Sequence, residues 1–224
     1  MKKIFVFSLI SILVFVIYLS FKDDELYFVE LSDQLTFSQN SYSFKIEKYL
    51  KDINKLQQHI SFNEINLRTT DLIQKIENND FIIKKNQKQT IKNALIKADL
   101  VIISVGSNDL FDHLLVEENR KDNYDYIKEY LEDTQKLLEL VRLYCKEDIF
   151  FLEIYNPQNK IKKEYIDYVN EQLKLLCKNE NISFIAYQKE LTKEMFHNNK
   201  INEKGQNLIY GKLLNQMKRT LLKK

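Results

Sequence analysis

Residues able to do chemistry fall in a few short clusters, each just after an apolar run. Ser32-Asp33-Gln34 sets a hydroxyl, a carboxylate and an amide side by side. Gly106-Ser107-Asn108-Asp109 joins a glycine to a second amide and carboxylate, and Asn66 offers a third amide. Near the C-terminus stand His197 and Lys200. An amide such as Gln34 has no ionisable oxygen to form an acyl-enzyme, but amide N–H groups can stabilise an oxyanion or hold a polar ligand. Ser32, with His197 as base, is a hydroxyl–imidazole pairing these clusters offer. Glu30 and Glu153 also lie near strand ends, but acid–base work by paired carboxylates needs a defined separation. Cys145 and Cys177, the two cysteines, sit late in apolar helical patterns where buried free thiols are common; an oxidising exterior would allow them to pair. Neither shows zinc-ligand spacing, and no metal or cofactor is expected.

The elements that position these clusters follow from periodicity. Apolar runs at Leu26 to Leu31, Ile60 to Ile65, Leu100 to Val105, Ile149 to Tyr155 and Ile182 to Tyr187 read as strands. Amphipathic stretches at Tyr42 to Ile53, Thr70 to Ile76, Lys84 to Ala98, Tyr124 to Tyr144, Lys160 to Cys177 and Glu203 to Leu222 read as helices between and after them. The nearly continuous apolar central runs suit parallel strands covered on both faces, so an α/β three-layer fold with a five-stranded parallel sheet is expected. In such a sheet ligands bind beyond the carboxyl ends of the strands, where most of these clusters stand.

Met1-Lys2-Lys3 precedes an apolar or small-polar run from Ile4 to Phe21, about 27 Å as a helix and close to the thickness of a bilayer core. Residues 1–21 are expected to form an uncleaved, single-pass signal anchor in the cell membrane, with residues 22–224 as one extracytoplasmic domain; a cleaved signal and a secreted domain is the alternative. Acidic and basic residues, 32 and 34 of them, are interspersed, so no basic footprint for nucleic acid exists. His59 and His113 have no motif context and are expected at the surface or in packing. Tyr124, Tyr126 and Tyr130 are expected to pack in the core or half exposed.

Val105-Gly106-Ser107-Asn108-Asp109 resembles the Gly-x-Asn-Asp block of the SGNH/GDSL hydrolases. Tyr27 to Thr36 aligns without a gap to that family's first block, a strand followed by Gly-Asp-Ser-Leu-Thr, and keeps Asp33, Leu35 and Thr36. Asn202-Glu203-Lys204-Gly205 resembles the end of its His-Pro-Asn-x-x-Gly block, and Ile154-Tyr155-Asn156-Pro157 resembles a strand-four segment of its bacterial lipase-like members. The resemblance implies the SGNH-hydrolase, flavodoxin-like fold. It puts Gln34 at the nucleophilic serine, Lys200 at the base histidine, His197 at the orienting aspartate and Asn66 at the oxyanion glycine of the second block. A lysine holds its proton near neutral pH unless strongly desolvated, so it is a poor default base. The expectation is a catalytically inactive pseudoenzyme, with no catalytic residue and with Asp33, Gln34, Asn66, Gly106 and Asn108 as ligand-binding groups. It would act as a binding or assembly module at the cell envelope, with a cell-wall saccharide or an envelope protein as partner. The alternative is an active esterase, lipase or carbohydrate deacetylase with a displaced Ser32/His197 site.

Overall fold

The structure, a computed structural model, describes residues 25–33, 40–84, 87–116, 120–156, 160–198 and 200–221. Residues 1–21 and Gln34 lie outside these segments. Among the described residues no helix is long and apolar enough to cross a membrane.

Five parallel strands form the central sheet: β1 (Leu26–Ser32), β2 (Leu56–Asn63), β5 (Leu100–Ser104), β6 (Asp148–Leu152) and β7 (Ser183–Ile185), in the order β2-β1-β5-β6-β7. Two helices cover one face, α1 (Tyr42–Asp52) and α7 (Glu203–Thr220). The other is covered by α2 (Thr69–Asn78), α3 (Ile91–Lys97), α5 (Arg120–Tyr144) and α6 (Lys163–Asn179). Alternation along β1 supplies both layers: Phe28 points to the α1/α7 side, and Val29 and Leu31 to the other. Ile209, Leu213 and Met217 recur every four residues on α7 and are fully buried, as their spacing predicts.

Three departures from the sequence expectation have physical reasons. A helix over Lys84 to Ala98 is cut short, because the helical apolar spacing holds only from Ile91 through Ala94, Leu95 and Ala98. The chain before it pairs as an antiparallel hairpin of β3 (Phe81–Lys84) and β4 (Gln87–Thr90), and Thr90 caps α3 by accepting from Asn93 N–H. A short helix, α4 (Ser107–Leu114), follows β5 at once, and a second hairpin, β8 (Phe196–His197) with β9 (Lys200–Ile201), precedes α7. Glycine is scarce, so asparagine takes the left-handed turns: Asn54, Asn66, Asn79, Asn181 and Asn198 all have positive φ.

Candidate ligand-binding cleft

Strand order reverses direction between β1 and β5, so the chain diverges on either side of their carboxyl ends and leaves a crevice there. Two of the sequence clusters flank this point. Asp33 follows β1, and its backbone N–H donates to the Ser104 carbonyl at 2.9 Å, stitching the two strand ends together. Its carboxylate is buried, and its charge reaches Tyr42, Tyr130, Tyr155 and Tyr187. Burial first, and then nearby carboxylates including Asp33, hold those four hydroxyl groups protonated above the usual tyrosine range.

After β5, Gly106 turns the chain with φ +113 and opens α4. A Cβ there would meet the Tyr130 hydroxyl at 2.2 Å, so α5 packs directly beneath the corner. Tyr126, one turn earlier on α5, donates to the Asp109 carbonyl at 2.8 Å and stacks on His113 with ring centroids 4.0 Å apart. The tyrosines expected to pack thus brace the corner that carries Asn108. Tyr124 instead meets Tyr165 and Tyr168 edge-on.

Asn108 joins this corner to the loop after β2: its Nδ2 donates to the Leu67 carbonyl at 3.1 Å. The neighbouring Asn66 has φ 63, the left-handed conformation that a glycine at the family's second-block position would adopt without strain. Asp109 clamps the same loop from below, accepting from Thr69 N–H at 3.2 Å and from the Thr69 hydroxyl at 3.3 Å, at the first turn of α2. Burial, partly offset by these bonds, raises the Asp109 carboxyl to about 6. A carboxyl raised in the folded state binds its proton more tightly folded than unfolded, so ionising it costs stability. Asp109→Asn should therefore flatten the fall in stability between about pH 4 and pH 6, a difference on the order of 3 kcal/mol in urea titrations across that range.

The third cluster is presented differently. His197 and Lys200 face each other across the β8–β9 hairpin, both exposed, and His197 Nε2 lies 3.3 Å from Asn198 Nδ2. The hairpin reaches the rest of the site through rings: Phe196 packs on Tyr155 after β6, and Tyr155 on Phe111 of α4. Asn202 caps α7, accepting from Lys204 and Gly205 N–H, while its own N–H donates to Met195 O. Gly205 is needed because a Cβ would meet Ile201 Cγ2 at 2.4 Å.

Ser32 is fully buried on the α1 side of the sheet, and its hydroxyl donates to Asn63 Oδ1 at 2.7 Å. Asn63 in turn donates to Glu30, the centre of a polar layer that sequence reasoning did not find. The Glu30 carboxylate is buried and also accepts from Ser43 at 2.6 Å and Ser61 at 3.1 Å. His59 lies between two carboxylates, with Nε2 3.5 Å from Glu30 and Nδ1 2.8 Å from Glu47, its ring stacked on Phe28. Burial opposes charge on both groups, but the mutual bonds outweigh it: the histidine pKa rises and that of Glu30 falls. Glu153 is committed elsewhere, to the backbone N–H groups of Tyr187 and Gln188, so neither carboxylate of the considered pair stands ready for acid–base work.

Cys145 and Cys177 are both free and buried, and burial pushes the Cys177 thiol up to about 12. Among the described residues no group of side chains could hold a metal ion.

Comparison with known proteins agrees with this geometry. A family model described as GDSL-like Lipase/Acylhydrolase matches residues 27–217. Among solved structures, the lipase Lip_vut3 from a goat rumen metagenome superposes with a TM-score of 0.68 at 20% identity, over 84% of this chain and 95% of that one. A catalytic mutant of an acetylxylan esterase from Geobacillus stearothermophilus gives 0.64 at 14% identity, over 85% and 93%. A lipase/acylhydrolase from Enterococcus faecalis gives 0.62 at 13%, over 86% and 95%. A search of curated proteins gives no match. With the matched model spanning the whole sheet and its covering helices, the chain belongs to the GDSL-like lipase/acylhydrolase family.

Proposed function

We propose that this chain is a membrane-anchored, extracytoplasmic member of the family whose cleft binds a ligand without hydrolysing it, serving as a binding or assembly module at the cell envelope. The observation that carries the reading is the position of Ser32: its hydroxyl is buried on the α1 side and given to Asn63, while His197 stands exposed on a separate hairpin. With glutamine at position 34 and lysine at 200, the family's nucleophile and base positions hold groups unsuited to acyl transfer. The corner of Asp33, Gly106 and Asn108, tied to β5 by the Asp33 N–H and to the Asn66 loop by Asn108 Nδ2, keeps a preformed polar rim of the kind that suits a saccharide hydroxyl, an acetyl or a carboxylate group. The apolar run from Ile4 to Phe21 supports anchoring, with Lys2 and Lys3 on the cytoplasmic side.

Restoring the family's groups tests this. The native chain should turn over acetyl and short-chain acyl esters no faster than background, while Gln34→Ser, His197→Asp and Lys200→His combined should raise the rate on the order of a hundredfold. Native turnover that Ser32→Ala or His197→Ala abolishes would instead establish a displaced active site.

A further inference from the structure

We propose that the open edge of the sheet at β7, with the stripe of α6 beside it, is a self-pairing surface that joins two copies of this chain about a two-fold axis. β7 pairs with β6 on one side, and among the described residues nothing pairs with its other side. Ile185 C=O accepts from Glu153 N–H on the β6 side, so alternation turns the N–H and C=O of Phe184 to the open edge. Such an edge is a template for another strand. Beside it run two adjoining cavities of about 660 and 340 Å³, which share Glu171, Lys174 and Phe184 and so form one groove between β7 and α6. Leu175, 54% exposed, stands on its wall.

The charges on α6 decide the occupant. Asp167, Glu171, Lys174 and Lys178 line the groove in steps of four, three and four residues, which puts them on one stripe of the helix about 17 Å long. Their order is acid, acid, base, base. Turned about an axis level with Gln172 and Leu173, the stripe sets Asp167 against Lys178 of the second copy and Glu171 against its Lys174, each pair occurring twice. Phe184 borders both cavities together with Glu171 and Lys174, so it lies level with that axis, where two antiparallel copies of it can exchange N–H···O=C bonds. The remaining charges do not oppose this. Lys163, which holds Asp167, and Glu180, past the end of α6, fall near each other with opposite sign, and Glu164 falls near Asn181. At the far end of β7, Glu190 is held by Lys212 with Lys189 as its neighbour, and Glu153 is tied to backbone N–H groups. An acidic or a basic strand from another protein would be opposed by half of the stripe, whereas a second copy meets an opposite charge at every position along it. The axis stands perpendicular to the sheet, so both copies turn the same helix layer to the same side. β6 and β7 stand between the seam and the crevice at β1 and β5, so both clefts stay open. A seam of one helix stripe and a three-residue strand is small for a stable dimer, which puts its affinity in the micromolar range.

Sedimentation of the full chain in density-matched detergent, at about 2 to 200 µM, tests this. The native chain should pass from monomer to dimer across that range. Lys174→Glu with Lys178→Glu makes the stripe wholly acidic, and Asp167→Lys with Glu171→Lys makes it wholly basic. Each variant alone should pair at least about tenfold more weakly than the native chain, whereas an equimolar mixture of the two should form a heterodimer at native strength or better. Recovery in the mixture also shows that both variants are folded. A native chain that stays monomeric at about 200 µM would overturn the proposal. So would a dimer that both variants form as readily as the native chain does, or a mixture that fails to pair.

Discussion

Gly106→Ala should lower the unfolding free energy by about 3–5 kcal/mol in equilibrium denaturation. Two costs add. The backbone at φ +113 is one that a side chain adopts only with strain, and the new Cβ would sit 2.2 Å from the Tyr130 hydroxyl and 2.9 Å from its ring carbons. Tyr130 is buried against the core and Gly106 opens α4, so neither can move without disturbing Asn108 and Asp109. Adding Tyr130→Phe removes the nearest atom but not the ring, and should recover about 1–2 kcal/mol. A single variant with the wild-type denaturation midpoint would show that the corner yields more readily than its packing implies.

His59→Leu should cost about 3–5 kcal/mol near pH 6, because it leaves Glu30 buried without its cation. The sign of the pH dependence follows from the direction of each shift. The His59 pKa is raised, so its contribution is complete below the unfolded value of 6.5 and is lost as pH rises through the folded value. Glu47, held at about 2 by His59 foremost and also by Lys51, contributes above the unfolded value of 4.5 and loses that contribution as pH falls. Glu30, also lowered, acts in the same direction. The contributions of His59, Glu47 and Glu30 should together be largest between about pH 4.5 and pH 6.5 and weaken towards pH 8, while Asp109 superimposes a separate decline between about pH 4 and pH 6. In His59→Leu the loss above pH 6.5 should shrink, and the gap to the native chain should narrow as pH rises. A native stability curve flat from pH 6 to pH 9 would contradict a charged His59.

The sheet was legible because β1, β5 and β6 are covered on both faces and so read as unbroken apolar runs. The cleft corner was legible for a different reason: in a chain with three glycines, two of them stand where a Cβ has no room, at Gly106 and Gly205. The polar layer around Glu30 was not. Its members come from three elements and meet only through register, with Phe28 opposite His59, Glu30 opposite Ser61 and Ser32 opposite Asn63, and with α1 laying Ser43 and Glu47 over them. Each looks like an isolated polar residue in the linear sequence, and His59 was expected at the surface or in packing rather than between two carboxylates. The alternation of His59, Ser61 and Asn63 with Ile60 and Phe62 along β2 was the available signal. The hairpins escaped because their ladders are only two to four residues long, and the turn residues because asparagine here takes the place of glycine.

Covalent labelling of the intact chain by a serine-directed phosphonate tests the central claim most directly. An inward hydroxyl bonded to Asn63, with His197 exposed on a separate hairpin, is not activated for attack on phosphorus. Mass spectrometry should therefore find no adduct at high reagent concentration, and Ser32→Ala should behave as the native chain does. Stoichiometric modification at Ser32, lost in His197→Ala, would contradict the account and make the protein a working hydrolase.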